Sequence, residues 1–173
     1  MSHDDNALSI RWAEQPALAA HVADFFCAHA SPDYISHAEL QGGRALAPGC
    51  WHPDVQKMIH AQAQRILKQA THDGTADGIA CAWLEGKLVG IAFVSFRTTA
   101  HLGRFAVLED LIVASTVRGT GIGQQFIEWI AQRVKGYGVK RLFLESGLSN
   151  AGAHGFFARA GFQQTSIVMM RDL

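Results

Sequence analysis

The sequence predicts a mixed α/β fold, a mostly antiparallel sheet with helices packed on its faces. Three observations carry this. Between Ile79 and Val113 three strand-like runs follow one another across short connections, as in an antiparallel meander. The glycine-rich run Gly119 to Gly123 then leads directly into an amphipathic helical pattern, and a β-branched, aromatic run follows it, which makes strand, crossover helix and parallel strand. Finally, 173 residues at 49% hydrophobic composition suffice for one domain with a full core.

The elements follow in chain order. Leu8 to Glu14 reads as a first strand closed by a turn at Pro16. Ala17 to Ala30 is helical, with Leu18, Val22, Phe25 and Phe26 recurring at helical spacing. Ser31-Pro32 ends it and supplies an N-cap and first-turn proline for a short second helix, Pro32 to Leu40. Gln41 to Trp51, with Gly42, Gly43, Pro48 and Gly49, is the most loop-like stretch. A third helix is expected from Pro53 to Thr71 on the stripe Val55, Met58, Ile59, Ile66 and Leu67, stopped by the polar turn His72 to Gly78.

Strands at Ile79 to Leu84 and Leu88 to Arg97 join across Glu85-Gly86-Lys87, and Gly90 marks a bulge or a close backbone approach. After Thr98 to Gly103 comes the third meander strand, Arg104 to Val113. The helix from Gly121 to Lys135 shows Phe126, Ile127, Ile130, Ala131 and Val134 on one face. Gly136-Tyr137-Gly138 suits its C-cap. Lys140 to Glu145 is the parallel strand, Asn150 to Arg159 a further helix, and Phe162 to Arg171 a final strand. One domain over 1–173 is expected, with 1–78 supplying helices and a first strand and 79–173 the meander and crossover unit.

Composition excludes several functions. Fifteen Lys+Arg balance fifteen Asp+Glu, so no overall field draws the chain to nucleic acid or to an anionic membrane. The longest apolar runs, Leu88 to Phe96 and Leu108 to Val113, fall well short of the ~20 residues that span a bilayer. Met1 to Asn6 is polar and acidic without a secretory core, so a cytosolic location is expected. Cys27, Cys50 and Cys81 are an odd number at wide spacing, expected as small buried or half-buried hydrophobes. No two of the nine histidines stand four residues apart, and no metal is expected.

The run Arg118-Gly119-Thr120-Gly121-Ile122-Gly123 carries the chemistry. A polyphosphate needs backbone amides aimed at it without side-chain obstruction, and glycines ahead of a helix N-terminus supply them with the positive end of the helix dipole. Arg118 adds a planar permanent cation, and Thr120 or Gln124 further polar contacts. A turn that uses glycine only for its backbone freedom is the competing reading. Walker A is excluded because no Gly-Lys-Ser/Thr follows. The dinucleotide fingerprint fits poorly, since the glycines fall at every second position.

Leu108 to Gly123, LEDLIVASTVRGTGIG, resembles the signature of the GNAT N-acetyltransferase superfamily, whose loop reads Arg/Gln-x-x-Gly-x-Gly/Ala; Arg118, Gly121 and Gly123 satisfy it. The similarity continues through RLFLES and NAGAHGFFARAGF, covering Phe105 to Arg171 and, more weakly, the meander from Ile79. The resemblance implies six to seven strands and a splay between two central parallel strands, with the pantetheine arm of acetyl-CoA in the opening. It also implies backbone contacts from Leu111, Ile112 and Val113, amides of Arg118, Gly119, Thr120, Gly121, Ile122, Gly123 and Gln124 on the pyrophosphate, and Asn150 on the pantetheine side. The activity it implies is acetyl transfer from acetyl-CoA to a primary amine of a small molecule or peptide, by direct attack in a ternary complex. Another acyl donor, succinyl or propionyl, and a non-catalytic acyl-CoA-binding or regulatory domain are the alternatives.

Direct transfer requires removal of the ammonium proton and stabilisation of the departing thiolate. For the first, strand alternation sets Glu109 opposite Leu108 and Asp110, so that one of the two acids faces the acceptor side. The resemblance favours Glu109, since related enzymes carry a similar Leu-Glu-Asp stretch. Asp110 is the second candidate, and an ion pair or a solvated position is the competing reading for both. For the second, many family members place tyrosine where this chain has Phe157, which has no proton to give; water, Ser146, Ser149 or another side chain remain as donors. The amide of Leu111 or Ile112 is the oxyanion donor the family implies, near an expected bulge. His154 reads as a surface or capping residue. The acceptor pocket is expected from the N-terminal helices, the Gln41 to His52 loop and the strand ends near Thr98 to Arg104; Trp12, Tyr34, Trp51, Trp83 and Phe96 read as its lining or as plain core, and His52 and His101 as acceptor contacts or solvated residues. The family often dimerises through its C-terminal strands, and the apolar run Ile167 to Met170 suits a homodimer or the protein's own core.

Overall fold

The computed structural model describes residues 7–101 and 103–173; the N-terminal segment read as lacking a secretory core and Leu102 of the Thr98 to Gly103 turn lie outside them. Ser9–Trp12 forms β1 and Leu18–His29 forms α1. The expected second helix splits into a 3-10 turn, Pro32–Tyr34, and α2, His37–Gln41. Ser36 and Glu39 explain the break: the Ser36 hydroxyl accepts from the Ala38 amide, and Glu39 accepts from the Ser36 amide at 2.7 Å, a capping box that restarts the helix. The stretch read as loop folds into a small hairpin, β2 (Ala45–Ala47) and β3 (Cys50–Trp51).

α3 (Val55–Gln69) precedes the meander β4 (Gly78–Leu84), β5 (Lys87–Thr99) and β6 (Gly103–Val113). α4 (Ile122–Gly136), β7 (Leu142–Leu144) and α5 (Ala151–Arg159) complete the crossover half. The main sheet runs β1-β4-β5-β6-β7, antiparallel except for the parallel pair β6·β7. It holds five strands rather than six to seven, and Phe162 to Arg171 pairs with no strand among the described residues. Ile167 and Met169 stand 90% exposed, so that run is not core here. No helix among the described residues is long and apolar enough to cross a membrane.

Two cores flank the sheet. α1 and α3 bury Val22, Phe26, Ile59 and Ile66 against Ile79, Ile91 and Phe93 on one face. α4 buries Phe126, Ile127 and Ile130 against Ala92, Val94 and Leu108 on the other. Phe126 sits so close to Gly90 that a Cβ there would lie 3.0 Å from its ring, which is the close approach expected at that glycine. Of the cysteines only Cys81 is buried, its thiol pushed up to about 12 by desolvation. Cys27 and Cys50 are exposed, contrary to expectation; Cys27 follows the buried pair Phe25 and Phe26 onto the solvent side of α1.

Register in β6 decides where the site lies. Val94 pairs with Leu108 and Phe93 with Asp110, so Glu109 is an extra residue in β6, a bulge. The bulge reverses the side-chain parity of the strand: Leu108 packs under α4, whereas Asp110 and Ile112 turn to the α1–α3 face. Strict alternation, which groups Leu108 with Asp110 against Glu109, therefore fails at this point.

Candidate active site

The parallel ladder between β6 and β7 is three pairs long, ending at Leu108 and Leu144. Beyond it the two strands bound an open cleft of about 600 Å³, with Leu111 and Val113 on one wall, Glu145 and Ser146 on the other, and Asn150, Phe156 and Phe157 of the α5 segment closing one side. The end of the cleft is the loop before α4. Gly121 caps that helix at φ +87° and Gly119 stands at φ +78°, backbone conformations that side chains resist, while the space over both is open. The amides of Gly119, Gly121, Ile122, Gly123 and Gln124 have no acceptor among the described residues. They form an anion-ready helix N-terminus.

Of the residues expected at the donor site, Leu111, Ile112, Val113, Arg118, Gly119, Gly121, Gly123, Gln124, Asn150 and Phe157 line the cleft. Thr120 turns back to donate to the Val117 carbonyl at 2.7 Å, and the Ile122 side chain is buried under the sheet. Arg118 donates to the His29 carbonyl at 3.2 Å, which ties the loop to the end of α1. Burial, and then the Arg118 charge, lowers the His29 pKa, favouring the neutral ring. His154 bonds the Gly147 carbonyl at 2.9 Å, which ties α5 to the turn ahead of it. The Ser146 hydroxyl is buried without a partner among the described residues, whereas Ser149 is exposed and lies outside the lining.

Gly147 seats this wall. A Cβ there would meet the Ile35 carbonyl oxygen and lie 2.6 Å from that of Asp33, both backbone. Gly147→Ala is expected to destabilise the fold by about 1–3 kcal/mol through overpacking. Thermal melts check it; a melt unchanged from wild type refutes the close contact.

A second cavity, about 310 Å³, opens on the α1–α3 side of the sheet among Glu39, Arg44, Gln62, Arg65, Ser95 and Arg97. Glu109 lines both cavities. Its carboxylate accepts from the Ser95 hydroxyl at 2.5 Å and from Arg97 at 3.3 Å. Asp110 lines neither: it is buried, receives one Arg44 nitrogen at 3.1 Å on each oxygen, and receives the Tyr34 hydroxyl at 2.9 Å. Burial pushes the Asp110 carboxyl up, and Arg44 pulls against it. Burial works against the Arg44 charge in turn, but the Asp110 carboxylate outweighs it and raises the guanidinium pKa. Two donor groups, the Arg44 Nη1 on both oxygens and the Tyr34 hydroxyl, thus make three hydrogen bonds to the carboxylate and favour its charged form against burial. Tyr34 is pushed well above its ordinary pKa by burial and by Asp110, and its oxygen accepts from the Leu111 amide at 3.3 Å, on the part of β6 that β7 has left.

The aromatic candidates divide between the two readings, pocket lining and core. Tyr34 lines the donor cleft, whereas Trp12, Trp51, Trp83 and Phe96 pack as partly buried core and His52 accepts from the Asp54 amide at 3.0 Å ahead of α3. Arg44 and Arg65 went unnamed in the sequence reading, because nothing local distinguishes them; Arg44 meets Asp110 across 66 residues of chain.

Known proteins resemble this chain in sequence and in fold. Residues 45–162 match the family described as Acetyltransferase (GNAT) family. Over 120 residues the chain is 25% identical to the aminoalkylphosphonate N-acetyltransferase of Salmonella typhimurium, covering 62% of this chain and 78% of that one. Two structures share the fold: the aminoglycoside N-acetyltransferase AAC(6')-Iy in complex with CoA, at TM-score 0.67 and 18% identity over 96% of this chain and 95% of that one, and the same enzyme with a bisubstrate analogue, CoA-S-monomethyl-acetylneamine, at TM-score 0.67 and 19% identity over 96% and 98%.

Proposed function

The chain belongs to the GNAT acetyltransferase family, and from that premise we propose that it moves an acetyl group from acetyl-CoA to a primary amine by direct attack in a ternary complex. The observation that carries this is Glu109, which reaches both the donor cleft and the polar cavity behind it. A proton acceptor at the junction of two cavities is where an amine entering from one side meets a thioester lying in the other. The relatives' names put an amine in each acceptor, an aminoalkylphosphonate and an aminoglycoside.

The residues fit the donor. The unbonded amides of Gly119, Gly121, Ile122, Gly123 and Gln124, with open space over Gly119 and Gly121, suit a pyrophosphate, and Leu111, Val113 and Asn150 line the cleft where the arm would lie. Acetyl-CoA supplies the thioester. Glu109 takes the proton as the amine nitrogen bonds the acetyl carbon and the carbon–sulfur bond breaks. Leu111 offers its amide to the carbonyl oxygen in place of the Tyr34 hydroxyl. Phe157 has no proton for the leaving thiolate, which takes one from water, while the unpartnered Ser146 hydroxyl on the cleft wall is available to hydrogen-bond the sulfur.

Titration calorimetry with acetyl-CoA, followed by thiol release over a panel of amines, tests the proposal. Micromolar binding and amine-dependent release are expected. Absence of binding sinks it; binding without release for any amine replaces it with the acyl-CoA-binding reading that Phe157 invites.

A further inference from the structure

We infer that the acceptor is a small zwitterion: a primary amine carrying an acidic oxyanion group, carboxylate or phosphonate, a few bonds from the nitrogen. The inference rests on acetyl transfer through Glu109 and names the substrate class of that same site.

The cavity behind Glu109 is about 310 Å³, at the small end of the ~300–1,000 Å³ range of ligand pockets, which suits a molecule the size of an amino acid. Its wall carries both signs of charge. A polycation would need an acidic surplus, yet the carboxylates there already hold donors. Glu39 accepts from the Ser36 amide and hydroxyl, each at 2.7 Å, and Asp77 from the Phe96 amide at 3.2 Å and from Arg97 at 3.5 Å. Asp110, behind the wall, is consumed by Arg44 and Tyr34. Glu109 alone opens toward the donor.

The guanidiniums are not matched in the same way. Arg44 is committed to Asp110 and Gln62, but Arg65 on α3 has no hydrogen-bond or ion-pair partner among the described residues. Arg97 is half exposed and holds Asp77 and Glu109 at 3.5 and 3.3 Å, distances loose enough to yield a nitrogen to a better oxyanion. An uncommitted guanidinium and a loosely committed one beside a proton acceptor complement a molecule with an anion at one end and an amine at the other. The lining carries three arginines against Glu39, Asp77 and Glu109, and with Arg44 spent on Asp110 the cations left to meet an oxyanion are Arg65 and Arg97.

The test is thiol release from acetyl-CoA with length-matched acceptors: an ω-amino carboxylic acid, an aminoalkylphosphonate, the amide-capped amino acid, a plain alkylamine and a diamine. The acid-bearing acceptors are expected to exceed the capped amine by about 10–100-fold in kcat/KM, mostly through KM. Whichever of carboxylate and phosphonate is favoured then names the oxyanion. Arg65→Glu should collapse that ratio toward one, and Arg65→Lys should retain part of it. Equal or better turnover of the capped amine or the diamine, or an unchanged ratio in Arg65→Glu, overturns the inference while leaving acetyl transfer standing. No release with any acceptor removes the acetyl-transfer reading itself, and this inference with it.

Discussion

Glu109→Gln is expected to lower kcat by about 10²–10³-fold while KM for acetyl-CoA moves less than about twofold. The amide keeps the shape of the side chain and still accepts from Ser95 and Arg97, which bond one carboxylate oxygen in the wild type. What it loses is the capacity to take a proton. The Arg97 contact is half exposed, so its weakening costs the fold under about 1 kcal/mol, and a thermal melt close to wild type is expected alongside the kinetic loss. The binding step should survive because the amides that suit the pyrophosphate, Gly119 to Gln124, lie at the far end of the cleft. Steady-state thiol release with a turned-over amine checks it. A variant that keeps a third or more of the wild-type kcat removes Glu109 from proton transfer and leaves its position between the cavities without chemical meaning.

How much of this was legible in the sequence depended on how local the cause was. The loop before α4 could be read because its determinants are neighbours: glycines at φ above zero, an arginine ahead of them, and an apolar stripe after them that buries Phe126, Ile127, Ile130 and Val134 as its spacing required. The bulge at Glu109 could not. It exists because Val94 and Phe93 of β5 take Leu108 and Asp110 as partners, and a register set by another strand leaves no mark on the strand that bulges. The same limit explains Phe162 to Arg171, whose strand-like composition finds no partner strand among the described residues. The Gln41 to Trp51 stretch shows the reverse case, with turn residues at Pro48 and Gly49 read as loop when they were the tip of a hairpin, β2–β3. Its most consequential residue, Arg44, had its partner hidden in β6.

Arg44→Ala is expected to destabilise the protein by about 3–5 kcal/mol, because it strands a buried carboxylate rather than because the ion pair was itself worth that much. Asp110 has no solvent-exposed side-chain surface, and with Arg44 gone only the Tyr34 hydroxyl still donates to it. The effect has a pH signature whose sign follows from burial. Desolvation already pushes the Asp110 carboxyl up; Glu39 adds to this, and Arg44 and Tyr34 oppose it. Removing the guanidinium raises the folded-state pKa further above the unfolded one, so the folded variant binds a proton more readily than the unfolded chain. Its stability is then greatest at low pH and falls as pH rises through the folded Asp110 pKa. Urea denaturation should show a larger deficit against wild type at pH 8 than at pH 5. Arg44→Met with Asp110→Leu, which removes both charges, should recover most of the loss, although the Leu111 side of the donor cleft then loses the Tyr34 anchor that Asp110 provides. Stability restored without acetyl transfer would separate the two duties of the pair: holding the segment before β2 against the bulged strand, and orienting Tyr34 beside the Leu111 amide, the proposed oxyanion donor. An Arg44→Ala deficit that is the same at both pH values would mean that Asp110 holds the same charge with and without Arg44, and would refute the pH signature.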